Sequence, residues 1–350
     1  MVNTQNHDYC LDMIRCFAIW MIFTYHFCVS NQLTDSAFCG YKNGGWGSVG
    51  TAIFFMLSGY CMNLNNYHFS NRKDWLCFYK KRFFSLFPIM WITFAIFYLI
   101  KAFFFDGFLY GGSLWKILLS FMGIDAYLGF WGIQTYYVCG EWFTAIIILI
   151  YLLYPVLFYL FNKFKCITTI ILIILYFSNI FWGKFSVPPD ATIFTGVLLF
   201  WVGMIIQNNI TWIRNKKNIF IPVCIVMILI VIFIPLPYYN STLPWKNLLA
   251  MGIFLLLLIT LNRLNLKKEI IKKLLLFESR VCYAIYLCHH VLISWIPIVC
   301  ERIGIVCSNT ITNYFVILIC VQIIASVLFI FDRKINKYFI RYLSKSLIEH

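Results

Sequence analysis

Charge is what this sequence has least of. Only 12% of its 350 residues are charged and 62% are hydrophobic, with a mean hydropathy of +0.82. A soluble domain carries about twice that share of charge, so the soluble globular classes are excluded. Acid is scarcer than base: 13 Asp and Glu stand against 28 Lys and Arg, a net charge of +15. That balance invites a nucleic-acid partner, but the basic residues gather in short segments between apolar runs, where they set membrane orientation. No nucleic-acid partner is expected. The 14 cysteines form no CxxC and no Cys/His ligand spacing, so no metal is expected. Most sit inside apolar runs (Cys16, Cys28, Cys61, Cys224, Cys282, Cys288, Cys320) and read as small buried apolar residues. Cys39 and Cys139 fall in expected outward-facing loops, where a disulfide is open to them.

Other signals are missing too. The N-terminus has no basic n-region and no small-residue cleavage site, so its apolar run is expected to stay in the mature protein. No Lys-Ser or Lys-Thr follows the glycines of GGWGSVG, which excludes a P-loop. No internal repeat supports a transporter built from two similar halves. No linker or soluble domain interrupts the chain, and residues 1–350 read as one transmembrane domain.

What is present is ten apolar runs, at about 11–31, 47–66, 83–105, 141–162, 166–182, 191–208, 219–235, 245–262, 281–300 and 311–331. Each approaches the ~20 residues that a bilayer requires. The stretch 113–131 is broken by Gly123 and Asp125 and reads as an interfacial or re-entrant piece. With the N-terminus inside, 21 of the 28 basic residues fall in inner segments and six in outer ones. The fold class is therefore an all-α polytopic membrane protein with about ten transmembrane helices, N-in and C-in. Aromatics at 20% suit interfacial belts and packed helix seams.

Ionisable groups within such spans are costly and tend to be paired and functional. The first run, DMIRCFAIWMIFTYH, holds Asp12, Arg15 and His26. Arg15 and His26 are eleven residues apart, about three turns and 16 Å along one helical stripe. Asp12 and Arg15 are three apart and can pair, either as an interfacial anchor or as part of a site. Arg15 is either a snorkelling anchor or a cation for phosphate or developing negative charge. His26 lies about 22 Å in from the start of the run, near the depth at which Glu141 opens the fourth span. A histidine beside a carboxylate is the arrangement of a general base. Gly47, Gly50 and Gly59 read as close-packing positions, and Ser58 as either a substrate contact or a residue bonding its own helix. Lys80, Lys81 and Arg82 mark the inner mouth of the third helix, as a topology anchor or a phosphate site. In RVCYAIYLCHH, Tyr286, His289 and His290 share a polar patch. Metal binding there needs further ligands, and none can be placed.

These pieces together resemble the acyltransferase-3 family of membrane acyltransferases. The resemblance rests on LDMIRCFAIWMIFTYH, GSVGTAIFFMLSGY, YKKRFFSLFPIMW, GEWFTAIIILIYLLYP and VCYAIYLCHH, in that order, and covers the whole chain. It implies transfer of an acyl group, generally acetyl from acetyl-CoA, onto an extracytoplasmic or lipid-linked glycan. The implied setting is the inner (plasma) membrane of a bacterium, as part of cell-envelope polysaccharide O-acetylation. Arg15 and His26 match the pair regarded as essential in the family, with His26 as catalytic base, and Arg82 matches the first arginine after the second helix. Ser85 stands where many members have a second arginine. Ile147 stands where many carry a glutamate, and Glu141 fits a branch with Gly-Glu-Trp-Phe. Some relatives carry a C-terminal hydrolase-like domain that completes the transfer; this chain is expected to act alone or with a separate partner.

On this reading the expected catalytic residues are His26, Glu141 and Arg15. Arg15, Lys81 and Arg82 would meet the phosphates of acetyl-CoA, and Ser58, Tyr286, His289 and His290 the acceptor. The partners are acetyl-CoA, a glycan or lipid-linked sugar, and the lipid bilayer. The rival reading is a transporter or flippase of lipid-linked sugars, which predicts charges spread over several spans rather than concentrated on helices one and nine.

Overall fold

The computed structural model describes residues 8–65, 67–140, 142–183, 186–236, 242–263, 268–304 and 309–346. Its order is α1 (Tyr9–Ser30), a two-residue hairpin β1 (Gly40–Tyr41) and β2 (Gly44–Gly45), α2 (Trp46–Leu64), α3 (Arg72–Lys101), α4 (Ile117–Phe121) and α5 (Asp125–Gly129). There follow α6 (Trp142–Lys163), α7 (Lys165–Trp182), α8 (Ile193–Asn208), α9 (Ile210–Asn215), α10 (Lys217–Phe233), α11 (Leu243–Thr260), α12 (Glu269–Arg302) and α13 (Thr310–Ser346). Among the described residues eight helices are long and apolar enough to cross a bilayer, and α8 and α10 are shorter apolar helices. These ten coincide with the ten apolar runs. Residues 113–131 are no span: they break into a 3-10 turn and the five-residue helices α4 and α5.

Two helices begin earlier than hydropathy places them. The third run reads as starting near residue 83, yet α3 begins at Arg72. There Asn71 accepts from Asp74 N, and the Asp74 carboxylate accepts from Asn71 N, a reciprocal capping box. Lys80, Lys81 and Arg82 are thus helical rather than on a loop. The ninth run reads as starting near 281, but α12 begins at Glu269, so Glu278, Ser279 and Arg280 are helical as well.

The chain divides into two compact units: Met1–Phe69 with Ile146–Cys282, and Ser70–Ala145 with Tyr283–His350. In the first unit α2 and α8 cross closely. A Cβ on Gly59 would strike the Phe200 carbonyl oxygen, and one on Gly203 the Met56 carbonyl oxygen. Backbone therefore meets backbone, the small-residue contact of membrane helices. Gly50 likewise admits α1, where a Cβ would lie 2.6 Å from Ile22 Cγ1. Asn43 fastens the hairpin, donating to the carbonyls of Val231 and Ile234 at 2.5 and 2.7 Å and accepting from Leu236 N at 3.0 Å. On α7, Ile167, Ile170, Ile171, Ile174, Phe177 and Phe181 are exposed along one stripe, and Ile219, Val223, Val226 and Ile230 do the same on α10. Exposed apolar stripes at this spacing are stable facing hydrocarbon, not water.

In the second unit α3 packs on α13. Phe105 stacks on Trp295 with centroids 4.9 Å apart, and Phe97 meets the same indole edge-on. Lys101 lies 4.2 Å from the Tyr110 ring centroid and 3.4 Å from Asp106, which ties the end of α3 to the loop that follows. Cys39 and Cys139 are each a free thiol.

Candidate functional site

In the first unit the polar residues of α1 meet the start of α12. Arg15 donates through Nη1 to Asp12 Oδ1 at 3.1 Å and to Ser279 Oγ at 2.5 Å, and Ser279 Oγ donates to Asp12 Oδ1 at 2.5 Å. Two turns along α1, Trp20 Nε1 donates to Glu278 Oε1 at 3.1 Å. Asp12 and Ser279 are buried, while 32% of the Arg15 side chain stays exposed. The expected Asp12–Arg15 pair thus exists, and it belongs to a triad with Ser279 that fixes one nitrogen of the guanidinium. Ser279 and Glu278 are not legible in the sequence as site residues, because the polar turn they occupy lowers hydropathy enough to push the apparent start of the span past them.

This triad carries a prediction. Removing Asp12 leaves Arg15 with a serine hydroxyl in place of its counter-charge in a largely buried setting. Asp12→Ala is expected to destabilise the protein by ~1–3 kcal/mol, read as a drop in thermal midpoint of the detergent-solubilised chain. Asp12→Asn, which keeps the acceptor oxygen, should lose less.

His26 is half-buried on α1, and Tyr25 beside it packs against the lead-in to α2. A Cβ on Gly45 would come 2.5 Å from Tyr25 Cε2, and Gly47 is closer still to the same ring. The glycines of GGWG are therefore the seat of Tyr25. The Tyr25 and His26 rings stand edge to face with centroids 5.2 Å apart. Ser58 is half-buried on α2, one residue before the close crossing at Gly59. Glu141 lies outside the described residues.

The second unit holds the other expected residues. Lys81 is exposed on α3, and Arg82 places its guanidinium carbon 6.0 Å from the Phe78 ring centroid. On α12, Tyr286 and His289 are buried and His290 is exposed. His289 Nδ1 lies 2.9 Å from the Tyr286 carbonyl oxygen, which makes Nδ1 the protonated nitrogen and Nε2 the basic one. Tyr286 stacks with Tyr283 at 6.5 Å and meets Phe143 edge-on at 5.3 Å. The α12 patch is thus one aromatic and imidazole cluster, as its spacing implies. Among the described residues no three His, Cys, Asp or Glu side chains gather as metal ligands.

A further feature of this unit has no clear signal in the sequence. Gly140 N donates to the Leu287 carbonyl at 3.1 Å, which brings the end of the long loop onto α12. Beside it, Met90, Phe94, Ser120, Gly123, Asp125, Ala126, Cys139, Gly140 and Thr144 line a cavity with about 10 Å³ open to a water-sized occupant. Asp125 is buried and accepts from Ser120 Oγ at 3.1 Å. Burial pushes its carboxyl up to about 6, against the opposing pull of hydrogen bonds from Ser120 and Thr135. Because the folded pKa exceeds the unfolded one, the folded state binds the extra proton. Stability from this group is therefore greatest below about pH 4 and falls as pH rises to about 6, with no further change above. Asp125→Asn is expected to make the midpoint less dependent on pH between about 4 and 7 than it is in wild type; an unchanged dependence would refute the assignment.

A family model described as an acyltransferase domain matches residues 8–331, nearly the whole chain. No curated protein and no solved structure matches it.

Proposed function

Because the chain belongs to this acyltransferase-3 family, and is on that footing a multi-pass membrane acyltransferase, we propose that it moves an acetyl group from cytosolic acetyl-CoA to a hydroxyl of a lipid-linked or extracytoplasmic glycan, in the inner (plasma) membrane of a bacterium. The observation that carries this reading is the first helix. Arg15 is fixed near its start by Asp12 and Ser279, and His26 follows about three turns on along the same stripe. A held cation and a titratable imidazole, set apart on one rigid rod, suit a donor that is anionic at one end and reactive at the other.

In the proposed reaction the acceptor hydroxyl attacks the thioester carbonyl carbon and His26 takes its proton. The carbonyl then re-forms, the carbon–sulfur bond breaks, and its electron pair leaves on sulfur. The thiolate takes the proton back from the imidazolium, leaving an O-acetyl ester and free coenzyme A. Lys81 and Arg82 are assigned to the donor's phosphates by their chemistry. Tyr286, His289 and His290 are assigned to the acceptor or to the tetrahedral oxyanion, and Ser58 to substrate contact.

The test is a comparison of surface glycan from cells with and without the gene, by mass spectrometry and NMR. An acetyl ester that disappears with the gene and returns on complementation supports the reading and identifies the hydroxyl. Identical glycans from the two strains, under conditions in which the protein is expressed, would overturn the choice of acceptor.

A further inference from the structure

Arg214 lies near the end of the short helix α9, in the run Arg214-Asn215-Lys216-Lys217. A guanidinium stays charged at every physiological pH and offers only donors. At Arg214 both Nε and Nη2 are buried and, among the described residues, have no hydrogen-bond partner. These atoms form one edge of the group, with N–H bonds pointing the same way, which is the fork that engages two oxygens of one oxyanion. Donors taken out of water and left unpaired are destabilising, so this edge calls for an anion.

Among the described residues the surrounding side chains supply none. Asp8 lies within electrostatic reach of the same cluster as Arg214. Its carboxylate is engaged in capping α1, accepting from Cys10 N at 3.1 Å. Among the described residues no ion pair joins it to Arg214. Tyr60, near the C-terminal end of α2, lies within electrostatic reach of Arg214, and its neighbour Cys61 within reach of Arg15. Both guanidiniums therefore border the same end of α2, the end that the distribution of basic residues assigns to the cytosol. Lys216 and Lys217 are exposed beside it.

We propose that Arg214 anchors a phosphate-binding site at this end of the first unit, holding one phosphate group side-on through Nε and Nη2, with Lys216 and Lys217 adding positive charge at the rim. Two sources offer that chemistry: the nucleotide end of a coenzyme A thioester, which rests on the acetyl-transfer reading above, and the headgroup of an anionic phospholipid, which does not.

The experiment uses the full chain in nanodiscs of phosphatidylcholine, with and without phosphatidylglycerol, as wild type, Arg214→Lys and Arg214→Gln. Coenzyme A affinity and the gain in thermal midpoint with phosphatidylglycerol are both measured. With the donor as source, Arg214→Gln weakens coenzyme A binding by about tenfold or more, and Arg214→Lys loses nearly as much because an ammonium lacks the fork. With lipid as source, coenzyme A binding is unchanged and the phosphatidylglycerol gain disappears in both variants. Wild type that does not bind coenzyme A, yet loses its lipid response with Arg214, keeps the phosphate site and refutes the donor reading. Well-folded variants that match wild type in both measurements overturn the proposal. Should the Arg214 variants fail to fold, the exposed pair Lys216→Gln/Lys217→Gln takes their place: both responses unchanged at low salt would overturn it equally.

Discussion

Membranes carrying His26→Ala are expected to transfer labelled acetyl from acetyl-CoA some 10²–10⁴-fold more slowly than wild type at equal expression, the usual contribution of a general base. The substitution should leave the fold intact. His26 is half-buried, and the packing at this level of α1 is carried by Tyr25 on Gly45 and Gly47, with Ile22 against Gly50. Loss of activity with an unchanged thermal midpoint is therefore the expected pair of results. Undiminished acetylation would remove His26 from the chemistry. A parallel loss of midpoint and activity would make it a structural residue.

The second large effect concerns stability. Gly59→Val is expected to abolish accumulation of folded protein, and Gly203→Ala to lower the thermal midpoint by many degrees. At each position the atom met is a backbone carbonyl oxygen of the facing helix. It cannot rotate aside as a side chain would, so α2 and α8 must separate along their length. That forfeits contacts around Phe200, Met56 and Met204, all fully buried. Overpacking of this kind costs about 1–3 kcal/mol where side chains can adjust and more where they cannot. Gly129, where a Cβ would meet nothing within 4 Å, is the control: Gly129→Ala should fold and accumulate like wild type. Equal expression of Gly59→Val and wild type would show that the two helices do not need their close crossing.

Much of the fold is legible in the sequence because hydropathy reports lipid exposure directly. α7 and α10 turn apolar stripes outward, and their runs match the helices to within a residue or two. Helix ends that project beyond the hydrocarbon are not legible in the same way. The start of α3 depends on the capping box at Asn71 and Asp74, and the start of α12 on helical residues that carry Lys272, Lys273 and Glu278. A window tuned to apolar content discards both. The same blindness hides Ser279, the residue of α12 that binds the Asp12–Arg15 pair of α1, a helix far away in the chain. The Asp12–Arg15 pair is visible since it is local, three residues along one helix. Asp125 reads in sequence only as an interruption of a run. Its meaning lies in the burial and the Ser120 bond that the loop creates around it, and neither has a local sequence signature. Arg214 reads as one of the charges that set topology, a role that every basic residue in a short loop can fill; only the unpaired edge sets it apart.

The length of the lipid-facing helices has a consequence for the bilayer itself. α7 has 18 residues and α10 has 17, which at ~1.5 Å per residue gives rods of about 27 and 26 Å. A typical hydrocarbon core is about 30 Å thick. Neither helix can tilt without widening that shortfall, so the lipid around them must thin or their ends must draw polar groups inward, at fractions of a kcal/mol per ångström. A membrane of shorter acyl chains is the better match for this flank of the protein, which makes lipid composition, and not sequence alone, a determinant of how comfortably the first unit stands.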